Sequence, residues 1–423
     1  MKIGPEMRRV AVLAAMLAVA TAAKAGNPPQ AAANTCVDCH TSFDGELKVT
    51  GEQFSQDVHA QKGLSCASCH GGDPTANDMD QAMSKAKGFK GRIERAQVPA
   101  LCGGCHSDAA FMRQYNPSLR TDQLAQYRTS QHGKKLAAGD SNVAVCTDCH
   151  GVHNLRPASD PRSKVYALNI ANTCSQCHSD AQRMKPYGIP TNQFASYSSS
   201  VHHDAMAVRG DLSAPTCTTC HGNHGAAPPG VATVENVCST CHVFQAQLFD
   251  TSPHKAAFAS AGMPGCVTCH SNHRIEHPSD KLLASGSQGL CTNCHSDGDA
   301  GVKAATQMRE SIAALDSKVQ QANELLDKAA DAGVEVSQSK LQLTEAQDAV
   351  TKARVTVHTF QADKVDVDLK AGSAVAEKTL AAARQALHES KFRRAGLGVS
   401  LLTVALVLLG LKLFIGDMEG KQK

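Results

Sequence analysis

Cys-x-x-Cys-His occurs nine times in this chain, and the nine copies use all 18 cysteines. They are Cys36, Cys39 and His40; Cys66, Cys69 and His70; Cys102, Cys105 and His106; Cys146, Cys149 and His150; Cys174, Cys177 and His178; Cys217, Cys220 and His221; Cys238, Cys241 and His242; Cys266, Cys269 and His270; Cys291, Cys294 and His295. This spacing is the attachment signature of c-type haem. The two cysteines form thioethers to the porphyrin vinyls, and the adjacent histidine takes one axial position on the iron. A zinc site would need paired Cys-x-x-Cys at ribbon-like spacing and no fixed histidine. A histidine after every second cysteine removes that reading, and no cysteine remains for a disulfide. Nine covalently attached haem c groups are therefore expected. Trp is absent and aromatics make up 4% of the chain. The porphyrins would have to supply the apolar surface that the side chains lack.

After a lone first motif, the rest repeats as four two-motif units. They run from His59 through Cys66 and Cys102, from His132 through Cys146 and Cys174, from His202 through Cys217 and Cys238, and from His254 through Cys266 and Cys291. An aromatic stands five residues before each leading histidine: Phe54, Tyr127, Tyr197 and Phe249. That register selects His202 over His203. His106-Ser-Asp-Ala with Met112 and Tyr115 matches His178-Ser-Asp-Ala with Met184 and Tyr187. A second histidine follows three residues after the motif in three units, at His153, His224 and His273; the first unit has Asp73 there. Such repeats stack on their neighbours. The expected fold is mainly α with much irregular coil: an elongated multihaem cytochrome c repeat domain over residues 26–300.

The nine motif histidines are the expected proximal ligands. His59, His132, His202, His254, His153, His224 and His273 supply seven expected distal ligands, leaving two irons without an assigned one. The candidates are His203, His277, His358, His388, Met79 and Met83. If the helical hairpin described below turns at Gly333, His358 falls level with about Met308, which points it at the haem of His295. His388 would lie near the start of the apolar span.

Lys2, Arg8 and Arg9 form a basic n-region, Val10 to Ala23 a short apolar stretch, and Ala23-Lys24-Ala25 a small-x-small site. Residues 1–25 thus read as a signal peptide. Export agrees with covalent haem attachment, which in bacteria takes place outside the cytoplasm, and a periplasmic location is expected. The formal charge of +3 resides in the signal segment. Haem propionates would add on the order of fifteen or more negative charges, so the sequence implies no nucleic-acid partner.

From Ser296 onward there is neither Pro nor Cys. Met308, Ile312, Leu315, Val319, Ala322, Leu326 and Ala329 form a heptad seam that Gly333 breaks. Val336, Leu343, Ala346, Val350, Ala353, Val357 and Phe360 form a second. A third helix is expected from near Asp363, with Ala376, Leu380, Ala383 and Leu387 inward. Residues 301–394 thus read as an antiparallel, coiled-coil-like helical segment, a form that also suits oligomerisation. Leu397 to Ile415 is apolar except for Ser400, Thr403 and Lys412. Its length of about 28 Å suffices for one crossing. Residues 395–416 read as a transmembrane helix and 417–423 as a cytoplasmic tail, which anchors the chain in the inner membrane.

From about Thr35 to His295 the doubled Cys-x-x-Cys-His pattern resembles the periplasmic multihaem c-type cytochromes, including membrane-anchored members with a C-terminal helical segment and single span. The resemblance implies bis-histidine, mostly low-potential haems packed for electron hopping. The pattern is also similar to the quinol-dehydrogenase cytochromes that serve periplasmic nitrate and nitrite reductases. Those usually carry fewer haems and an N-terminal anchor, so their quinol site does not transfer. The expected function is electron transfer between the quinol pool, or a membrane subunit that oxidises quinol, and a periplasmic cytochrome or terminal reductase. Conduction of this kind needs no catalytic residue. The alternative is a multihaem reductase of a small nitrogen or sulfur oxyanion, which needs one open distal site.

Overall fold

A computed structural model describes residues 34–228, 230–286 and 289–421. The signal peptide read in residues 1–25 lies outside them, as does the end of the tail. Helices dominate, and no strand occurs among the described residues. The chain divides into two compact units. One holds the chain up to Arg183 together with Thr216–Ala226, and the other holds Met184–Pro215 and Ala227–Lys423.

The motifs sit on short helices: α1 (Thr35–His40), α2 (Cys66–His70), α3 (Val98–His106), α4 (Cys146–His150), α5 (Ile170–His178), α6 (Cys217–His221) and α7 (Gly265–His270). In one helical turn the first cysteine, the second cysteine and the histidine stand at i, i+3 and i+4, which is one face. The motif at Cys238 begins in the 3-10 stretch Val234–Thr240, and that at Cys291 in the 3-10 turn Cys291–Asn293.

The residue after the first motif histidine of each unit takes a positive φ, which swings the chain off the helix. It is Gly71 (69°), Gly151 (83°), Gly222 (77°) and, in the last unit, Ser271 (64°). The aromatics five residues before the leading histidines act as clamps. The Tyr127 hydroxyl donates to the Ala144 carbonyl at 2.8 Å, and that of Tyr197 to Pro215 at 3.0 Å. Each acceptor lies two residues before the next motif. The Phe249 ring packs so closely on Gly265, just before Cys266, that a Cβ there would meet it at 3.1 Å.

The helical arm lies in the second unit: α8 (Ala300–Asp331), α9 (Ser337–Thr356) and α10 (Ala362–Lys421). Every residue of the first seam is buried. So are Val336, Leu343, Ala346, Val350 and Ala353 of the second, and Val365, Leu369, Ala376 and Ala383 of α10. Asp299 caps α8 by accepting from the Val302 N–H at 3.0 Å. Gly372 lets α10 approach closely, since a Cβ there would stand 2.5 Å from that of Ala349 and 3.0 Å from Leu315. The third helix does not stop before the apolar stretch. No proline stands near Arg394, Gly396 and Gly398 do not interrupt the helix, and α10 runs through Leu397–Ile415 as one helix of 60 residues. Its apolar stretch has a mean hydropathy of 2.3 and none of it is buried by the other described residues.

Candidate haem-binding sites

Among the described residues, seven motif histidines are seen opposite a second histidine. In the first unit, His59 meets His106 with ring centres 6.0 Å apart, His153 meets His70 at 6.1 Å, His132 meets His178 at 6.2 Å and His224 meets His150 at 6.0 Å. In the second, His202 meets His242 at 6.3 Å, His254 meets His295 at 5.9 Å and His358 meets His270 at 6.0 Å. A metal–imidazole bond is about 2 Å long and the ring centre lies roughly 1 Å further, so two imidazoles sharing one ion have centres about 6 Å apart. No attraction between neutral imidazoles would fix one separation at seven places. A shared axial metal would.

The second ring nitrogens fit the same role. Nδ1 of His40 lies 2.8 Å from the Leu47 carbonyl oxygen, that of His70 3.0 Å from Gly91, and that of His358 2.8 Å from Val355. A carbonyl only accepts, so Nδ1 donates and Nε2 is left with its lone pair for a metal. Nδ1 of His59 lies 3.1 Å from Asp57 Oδ1, and that of His295 3.1 Å from Asp299 Oδ2. Sequence reasoning missed these orienting groups. For Asp57 a signal existed: it stands two residues before His59 and is 2% exposed. It also accepts from the backbone N–H groups of His59 and Leu155, both at 2.8 Å. Burial works against its charge, but these bonds hold its carboxyl below the usual range. Burial also pulls His106, His132, His150, His153, His178, His202, His224, His254 and His270 below the ordinary histidine value. The neutral imidazole is the metal-binding form.

Backbone contacts carry the histidines that cross from one repeat to another. The Val58 N–H donates to the Leu155 carbonyl at 2.8 Å, and the Val201 N–H to that of Ile275 at 2.9 Å. Each bond ties the residue before a leading histidine to the loop after the next unit's first motif. In this way His153 reaches His70. His358 does not stand opposite His295, where the straight-hairpin argument points it. His254 fills that side, and the Phe360 ring lies 4.0 Å from the His254 ring. The 3-10 turn Val357–Thr359 presents His358 to His270 instead. Arg354 locks this corner, donating to Asp280 at 3.0 and 2.8 Å and to Asp316 at 3.1 Å.

His203 faces the edge of Tyr197 at 5.4 Å, and His277 is exposed with Nδ1 3.0 Å from the Pro278 carbonyl oxygen. Met79 and Met83 are exposed as well. His221 and His273 are each engaged in an interaction of their own.

The first cysteines of successive motifs also meet. Cys36 lies within hydrogen-bonding reach of Cys66, Cys102 of Cys146, Cys174 of Cys217, and Cys238 of Cys266. A haem thioether-bonded to such a sulfur would have an edge there, which would bring it beside a haem held at the next motif. Paired axial imidazoles, thioether-forming sulfurs at each site and adjoining edges together fit haem c.

Comparison with known proteins agrees. Residues 58–179 match the cytochrome c3 family model, residues 256–300 the doubled CXXCH motif, and residues 12–71 the cytochrome c554 and c-prime model. The chain is a multihaem c-type cytochrome. It is 23% identical over 215 residues to the C-type polyheme cytochrome OmcC of Geobacter sulfurreducens, which covers 44% of this chain and 25% of that protein. The cytochrome thus spans about a quarter of the length of that relative. No solved structure matches it.

Proposed function

We propose that this cytochrome holds nine haem c groups and conducts electrons between a membrane donor and an extracytoplasmic acceptor. Bound haem supplies one-electron iron chemistry at a potential set by its axial ligands and surroundings. The chain's own contribution is to hold, orient and space those groups. The observation that carries the reading is the set of seven facing imidazole pairs at 5.9–6.3 Å. Two imidazoles per iron leave no coordination position for a substrate, which suits transfer without bond-making. By the same repeat we assign His273 as the second ligand opposite His221.

The adjoining first cysteines give edge contact from one unit's second motif to the next unit's first. Within units the second-cysteine sides approach: Cys69 feels the charge of Cys105, Cys149 that of Cys177, and Cys269 those of Cys291 and Cys294. Neighbouring cysteines of these two kinds alternate through consecutive motifs from Cys36 to Cys217 in one compact unit and from Cys238 to Cys291 in the other. We read α10 as the anchor in the inner membrane, with the motifs on the periplasmic side. The donor would be quinol or a quinol-oxidising membrane subunit, and the acceptor a soluble cytochrome or terminal reductase.

Intact-mass measurement with electron paramagnetic resonance of the oxidised protein tests the reading. The expected result is nine haems per chain with low-spin bis-histidine signals dominating. A majority of high-spin haems, or a mass with only a few haems, would overturn it.

A further inference from the structure

The facing pairs obey one offset, and extending it to the start of the chain singles out the first motif. In every unit the leading histidine faces the second motif histidine of its own unit: His59 with His106, His132 with His178, His202 with His242, His254 with His295. The first motif histidine is served from the loop after the first motif of the following unit. Thus His153 reaches back to His70, and His224 to His150. The last unit has no successor, and the arm supplies His358 to His270 instead. By the same offset the partner of His40 would stand three residues after His70. That position is Asp73, where the other units have histidine.

The loop that should bring this partner is in place. The Thr35 N–H, at the start of α1, donates to the Pro74 carbonyl at 3.0 Å, and the Thr35 hydroxyl to Ala76 at 2.6 Å. Asn34 Nδ2 lies 3.3 Å from Cys66 Sγ. The Asp73 carboxylate is committed elsewhere: it accepts from Lys87 Nζ at 2.6 Å and from the Thr75 N–H and hydroxyl at 2.9 and 2.6 Å. Its own N–H donates to Ala82 at 2.9 Å, which holds the residue in that pose. Among the described residues His40 has no facing imidazole. Its ring neighbour is the edge of Phe43 at 5.4 Å. His153 is near enough for its charge and that of His40 to interact, but its ring faces His70. No histidine precedes His40 in the sequence.

We propose that the iron held by Cys36, Cys39 and His40 has a single protein axial ligand, and that its other face binds a small diatomic ligand. This rests on the nonahaem reading above. It adds a binding function to a chain otherwise built for conduction, and it places that function at the first motif.

Carbon monoxide titration of the reduced full-length protein, cyanide titration of the oxidised protein and intact mass test it together. The expected result is one high-spin ferric haem and about one carbon monoxide bound per chain, with nine haems by mass. Asp73→His should abolish both signals while keeping nine haems. Cys36→Ser with Cys39→Ser should remove one haem and all carbon monoxide binding. Nine low-spin haems that bind no carbon monoxide would overturn the open site and leave the conduction reading standing. Carbon monoxide binding that survives loss of the first haem would overturn its placement, and binding that survives Asp73→His would overturn the role of position 73. A wild-type mass short of nine haems would overturn the nonahaem reading itself.

Discussion

At the scale of single residues, the cytochrome depends on backbone conformations and hydrogen bonds that aim its imidazoles. Ser271 stands where the other units have glycine. Its φ of 64° and ψ of −175° fall in a region that is essentially confined to glycine. Ser271→Gly should therefore stabilise the protein by about 1 kcal/mol. Denaturant unfolding followed at the haem Soret band reads this, and an unchanged or lower midpoint would count against the strain. Tyr127 gives a pH prediction. Burial, with the Asp148 carboxylate among its neighbours, pushes its hydroxyl up to about 12. The folded state thus holds this proton more tightly than the unfolded chain, whose phenol titrates near about 10. The stabilising contribution is complete below the unfolded value and is lost as pH rises through the folded one. Tyr127→Phe also removes the bond to Ala144 and should cost about 1 kcal/mol at neutral pH. Ultraviolet resonance Raman of wild type minus variant would show the phenolate appearing well above pH 10. A Tyr127 phenolate already formed at pH 10 would sink the assignment.

At the scale of elements, the arm brings a histidine opposite a motif histidine, His358 beside His270. The turn between α9 and α10 presents His358 to His270 because its two neighbours in the corner are fixed: Phe360 on His254, and Arg354 on Asp280 and Asp316. His358→Met should keep that iron six-coordinate and raise its potential, by on the order of 100 mV. A redox titration followed optically should then show one haem leaving the low-potential group. A titration curve identical to wild type would mean that His358 is no ligand. The heptad seams of the arm were legible because a period near 3.5 needs only local sequence, and every residue of the first seam is buried. The target of His358 was not legible. A straight-hairpin construction places it by helical rise alone, and it cannot see that His254 already fills the far side of His295.

At the scale of the whole molecule, the long helix α10 joins the arm to an apolar stretch that none of the described residues covers. Among the described residues a chain ending after Arg394 loses no buried packing, since the last buried side chain of α10 there is Ser390, whose hydroxyl lies 3.4 Å from the Ala332 carbonyl oxygen. That truncated cytochrome should keep the wild-type haem spectrum and appear in the soluble fraction without detergent. Continued fractionation with membranes would show that another segment holds it there.

The sequence by itself determined the chemistry that lies within one turn of helix. Two cysteines and a histidine at i, i+3 and i+4 are close whatever the rest of the chain does, so the haem-attachment motifs were readable directly. The seams, the apolar span and the unit boundaries followed from periodicity in the same way. The partner across each iron is a different matter. His153 lies 83 residues from His70 and His358 lies 88 from His270. Only tertiary structure decides such pairings, because they depend on which loop docks on which helix and which face is already filled. The repeat suggested a pool of ligands; the fold matched them to motifs by a single offset. That offset connects two observations that looked separate in the sequence, the histidine missing after His70 and the first motif standing outside any unit. Both describe the same side of His40.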